Sequence, residues 1–83
     1  MSDYENIVIS AVRYALGRMT YIVDLTVKYV IREIEEDKLS DYCLQLIRTD
    51  IIGTKDLGMY CDETAWFNLL EKINKKLNIT KED

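Results

Sequence analysis

Eighty-three residues suit one domain, and the chain carries 48% hydrophobic and 31% charged residues, the balance of a folded globule rather than a disordered tail. It has no proline, three glycines, no histidine and a net charge of −4. Few tight turns are marked, which disfavours an all-β fold, and an acidic chain disfavours nucleic acid as a direct partner.

The expected architecture is all-α: a compact bundle of about four helices in a single domain over residues 1–83. Ser2 and Glu5 have the spacing of a capping box and predict that the first helix starts there. Val8, Val12 and Ala15, flanked by Ile9 and Leu16, recur at three- and four-residue intervals and give that helix its apolar face. Gly17 suits the left-handed residue that ends many helices.

Thr20 is a candidate cap for a second helix whose stripe is Val23, Val27, Val30 and Ile34. The same stretch also alternates polar Asp24, Thr26 and Lys28 with Leu25, Val27 and Tyr29. A strand over Tyr21–Val30 is therefore an alternative, which would make the fold α+β. The helix is preferred because its stripe continues to Ile34.

Ser40 is the next expected cap, Leu44, Ile47 and Ile51 form a third stripe, and Gly53 is expected to close it. Residues 54–61 lack periodicity and predict a loop with Leu57 and Met59 turned inward. Asp62 is expected to cap the last helix, whose face is Trp66, Leu69, Leu70, Ile73 and Leu77. Lys72, Lys75 and Lys76 fall late in that helix, where cations oppose the negative end of its dipole. Thr80–Asp83 are expected to fray.

The chemistry of the chain is mostly a matter of what is missing. Without histidine the commonest general base and metal ligand are absent, and two cysteines 18 residues apart cannot form a four-ligand zinc site by themselves. The isolated glycines build no phosphate loop. These absences lead to the expectation of a non-enzyme with no cofactor and no metal site. Cys43 and Cys61 are expected to be reduced, and the start, with no basic segment and apolar run, carries no expected secretion signal. With no long apolar stretch, the expected location is the cytoplasm, without membrane association.

Charge and tyrosine nominate two surfaces. Residues 33–63 carry nine acids against three bases, for −6, whereas residues 1–32 and 64–83 each carry +1. Glu33, Glu35, Glu36, Asp37 and Asp41 cluster at the junction of helices two and three. They could complement a basic groove on another protein, or simply solvate a helix end. The second surface is the turn bracketed by Arg13, Tyr14, Arg18 and Tyr21. It offers either a partner-binding patch with cation–π character or half-buried core edges.

The segment Ala11–Val23, containing Arg13-Tyr14-Ala15-Leu16-Gly17-Arg18-x-Thr20-Tyr21, resembles small accessory proteins encoded by phages and prophages of Gram-positive bacteria, with a looser echo in Trp66-Phe67-x-Leu69-Leu70. The resemblance implies a mobile-element protein, and small acidic proteins of that kind include inhibitors of host defence such as anti-CRISPR proteins. On that basis the expected function is non-enzymatic inhibition of a host defence nuclease, such as a Cas protein, by an acidic face that occupies its basic nucleic-acid or target-recognition surface. The alternative is a structural or regulatory homo-oligomer, such as a homodimer, that pairs helices one and two.

Overall fold

A computed structural model of the chain describes residues 1–56 and 63–79. They form four helices, α1 (Asp3–Ala15), α2 (Thr20–Glu35), α3 (Asp41–Asp56) and α4 (Glu63–Leu77), with no strand among the described residues. The all-α reading holds, and Tyr21–Val30 is helical throughout. Its alternating polar residues are those left over once Val23, Val27, Val30 and Ile34 have turned into the core.

The helices form two hairpin layers. Helix α1 packs on α2 and on α3, while α4 packs on α3 and on α2; among the described residues the backbones of α2 and α3 do not approach each other, nor do those of α1 and α4. The shortest dimension of the molecule is 18 Å, about two helix diameters. Between the layers lies one core built from every helix: Val8, Val12 and Ala15 of α1, the α2 stripe, Cys43, Leu44, Ile47 and Ile51 of α3, and Trp66, Leu69 and Ile73 of α4. Leu70 and Leu77 are only half-buried at its edge.

Local chemistry sets the helix ends. The Ser2–Glu5 capping box forms, with the Glu5 amide donating to the Ser2 hydroxyl at 3.1 Å. Gly17 has φ 82°, the left-handed conformation that its missing Cβ permits. Helix α2 ends differently: Asp37 takes φ 58°, and the Asp37 and Lys38 amides donate back to the Ile34 and Glu33 carbonyls. This is a Schellman motif. Asn78 (φ 62°) closes α4 in the same way, onto Lys75 and Asn74.

Two expected boundaries are corrected. Thr20 is the first residue of α2 rather than its cap; Met19 occupies the cap position and makes no side-chain cap bond. Gly53 does not close α3, which continues to Asp56. Buried Ile51 and half-buried Ile52 and Thr54 hold that segment against the core, and packing outweighs the roughly 1 kcal/mol cost of a helical glycine. By contrast Ser40 caps as expected, its hydroxyl accepting from the Cys43 amide at 3.2 Å. The expectations for Leu57, Met59, Cys61, Asp62 and Thr80–Asp83 lie outside the described residues.

Candidate protein-binding surface

The acidic junction is built from the end of α2 and the start of α3, and most of its carboxylates have internal partners. Glu33 is 4% exposed and accepts a hydrogen bond from the Tyr4 hydroxyl, which also contacts the hydroxyl of Tyr29. That carboxylate, and secondly Tyr29, push the Tyr4 phenol well above its ordinary titration range. Glu35 pairs with Lys72 at 3.0 Å and Asp37 with Lys76 at 2.7 Å, so α4 carries the cations that neutralise the end of α2. The bond to Lys76, reinforced by its charge, lowers the Asp37 pKa. Glu36 pairs with Lys38 at 3.1 Å and raises the lysine's pKa. Asp41 stays exposed in the first turn of α3, where an acid suits the helix dipole.

Beneath this corner lies a residue that sequence reasoning treated only as a cap. Glu5 is buried, and its Oε2 accepts from the Ser40 amide at 2.6 Å while Oε1 accepts from the Ser2 amide at 3.2 Å. The Ser40 backbone and side chain, then Ser2, hold its carboxyl down at about 2. One carboxylate thus serves the N-termini of both α1 and α3. Cys43 sits nearby with a free, fully buried thiol, pushed up to about 11 by burial and then by the Glu5 charge. A thiol so placed is a poor nucleophile near neutral pH.

The second surface is divided by the helix it belongs to. Arg13 points toward α3, where its Nε donates to Asp50 at 2.6 Å, while neighbouring Tyr14 is 58% exposed on another side of α1. Arg18, in the turn, lies over the Tyr14 ring with 4.6 Å to its centroid. Tyr21 is 70% exposed at the start of α2. Arg18, Tyr14 and Tyr21 therefore remain on the surface, and Arg13 is tied to the adjoining helix.

These residues belong to a larger face, on the two helices that the homo-oligomer alternative pairs, most of whose residues sequence reasoning did not assign to it. Of the ten large hydrophobic residues exposed among the described residues, eight lie between Met1 and Tyr29: Met1, Tyr4, Ile7, Tyr14, Met19, Tyr21, Leu25 and Tyr29. The contact of Tyr4 with Tyr29 shows that α1 and α2 run antiparallel here and that their outer residues adjoin at this end. A signal for it was present. Tyr4, Ile7, Ala11 and Tyr14 recur at helical spacing beside the core stripe of α1, and Tyr21, Leu25, Tyr29 and Arg32 do so on α2. Each helix carries more apolar surface than one core can cover.

Along α2, Leu25, Lys28, Tyr29 and Arg32 line a cleft of about 440 Å³. A second, of about 300 Å³, lies between Arg13, Leu16, Gly17, Asp50 and Thr54. Among the described residues no cluster of three or more His, Cys, Asp or Glu is placed to hold a metal, and no helix is long and apolar enough to cross a membrane. No protein-family model matches the chain, and no curated protein or solved structure is significantly similar to it.

Proposed function

We propose that this chain is a non-enzymatic protein-binding module that contacts its target through the outer face of α1 and α2. The observation that carries the reading is the concentration of exposed tyrosine, leucine, isoleucine and methionine on that face. Contiguous apolar patches with aromatic anchors are characteristic of protein interfaces, where tyrosine combines a large rigid surface with a polar tip. Together with the resemblance of Ala11–Val23 to phage and prophage accessory proteins, this favours an inhibitor that binds a host defence nuclease, in the manner of an anti-CRISPR protein.

Within this reading the acidic junction has a secondary role. Glu33 is buried, and Glu35, Glu36 and Asp37 each have a lysine partner, which reduces the negative field available to a basic groove. Asp41 and the exposed sides of those pairs would steer association rather than anchor it.

The test is affinity purification from bacteria carrying defence systems, with the wild-type chain beside a Tyr21→Ser/Leu25→Ser variant and a Glu35→Lys/Glu36→Lys/Asp37→Lys variant. Loss of the captured nuclease with the first variant and retention with the second is the expected result. The opposite pattern would return the interface to the acidic junction. Homo-oligomerisation through α1 and α2 is the second reading, favoured by the same apolar face, and light scattering separates it: a tight dimer supports it and a monodisperse monomer counts against it.

A further inference from the structure

We propose that the occupant of the α1–α2 face is an acidic, amphipathic segment of the partner protein, seated over the cleft of Leu25, Lys28, Tyr29 and Arg32; this rests on the protein-binding reading above. These four residues follow the i, i+3, i+4, i+7 pattern of a single helix face, so two apolar side chains and two cations are presented together. Lys28 and Arg32 stand one turn apart. Neither has an ion-pair partner among the described residues, whereas Arg13, Lys38, Lys72 and Lys76 are each engaged by a carboxylate of this chain. Glu33, which follows Arg32 in the chain, is buried and already accepts from Tyr4. The cleft is therefore a locally basic, partly apolar site on an acidic protein.

Charge complementarity selects among occupants. A second copy docked by the same patch would bring two sets of Lys28 and Arg32 together, and like charges at a two-fold contact oppose it. An anionic bilayer or a single-stranded nucleic acid would meet the same two cations, but each is a long array of negative charge facing a chain whose net charge is −4. A short acidic segment meets only the local cleft. Its apolar ridge would cover Leu25 and Tyr29, and its flanking carboxylates would reach Lys28 and Arg32.

The experiment uses the intact, isotope-labelled chain and follows its amide resonances. One probe is a helix-forming peptide of about 15 residues with Leu and Phe on one face and Glu beside them; a second has Lys in place of every Glu. The acidic peptide should shift the resonances of Leu25, Lys28, Tyr29 and Arg32 and bind roughly tenfold more tightly than the basic one, the ratio that two exposed ion pairs can supply. Lys28→Glu/Arg32→Glu, two exposed positions whose replacement leaves the core intact, should invert that preference. No binding of the acidic peptide, equal binding of both, or a preference that survives the charge reversal overturns the proposal.

Phosphatidylserine-containing vesicles and a poly-thymidine oligonucleotide are run alongside. Binding to either through Lys28 and Arg32 that is tighter than binding to the acidic peptide overturns it as well, as does a tight dimer that buries Leu25. Failure of the broader reading is distinguishable. If a captured nuclease is lost with Tyr21→Ser/Leu25→Ser but unaffected by Lys28→Glu/Arg32→Glu, the face binds protein and the acidic occupant is wrong. If neither variant affects capture, both fall.

Discussion

The corner where the chain turns from α2 into α3 and the outer face of α1 and α2 are both rich in residues that attract partners, yet the molecule treats them in opposite ways. At the corner, carboxylates are matched internally: Glu33 by Tyr4, Glu35 by Lys72, Asp37 by Lys76, and Glu5 by the Ser40 amide. On the face, Ile7, Tyr21 and Leu25 lie open, and Lys28 and Arg32 have no carboxylate partner among the described residues. A cluster of charge marks an interface only where the fold leaves it unanswered. The corner's charges are engaged inside the fold, whereas the face presents open apolar side chains and cations.

Substitutions can break this comparison, beginning with the largest effect. Leu39 is buried at the corner, and Leu39→Ala should cost about 2–5 kcal/mol, a large part of the stability of so small a domain. Urea denaturation measures it. Near-neutrality would mean that the corner is not structural. Ser40→Ala, which removes the hydroxyl accepting from Cys43, should cost about 1 kcal/mol.

Acid provides a test of the same corner without mutation. The folded state holds Glu5 at about 2 against an ordinary value of 4.5, so its contribution is complete above 4.5 and disappears as pH falls through that interval. Glu5→Gln should be less stable than wild type at neutral pH, and the difference should shrink between pH 4.5 and 2 in thermal melts followed by circular dichroism. A difference independent of pH would remove the carboxylate from the account.

Gly53 offers a change of opposite sign. It sits inside α3, and a Cβ added there would meet open space. Gly53→Ala should therefore stabilise by about 0.5–1 kcal/mol, visible as a raised melting temperature. The smallest effect is expected on the open face, where Tyr21→Ser/Leu25→Ser should change stability by no more than about 1 kcal/mol while abolishing partner capture. A large destabilisation would show that these side chains serve the core.

Much of this was legible in the sequence, because periodicity reports burial directly. The stripes Val8-Val12-Ala15, Val23-Val27-Val30-Ile34, Leu44-Ile47-Ile51 and Trp66-Leu69-Ile73 all lie in the core. Boundaries were less legible where local preference and packing compete, as at Gly53, or where no side chain signals the start, as at Met19. The pairing at the corner was illegible for a different reason. A run of acids has the same composition whether or not lysines about 40 positions away fold back on it, and only the packing of α4 on α2 brings Lys72 and Lys76 within reach. The tyrosines of the face were visible singly; their union required the antiparallel contact of Tyr4 with Tyr29.

Glu5 links two places in the chain that lie 35 positions apart. Its own helix needs it as half of a capping box, and α3 needs it as the acceptor for the amide of Ser40. The instruction for where α3 begins is thus stored partly in α1, so the two helix starts are set cooperatively. A chain shortened at its front would lose more than its first helix: the remaining three would keep their apolar stripes while α3 lost the anion that fixes its first turn.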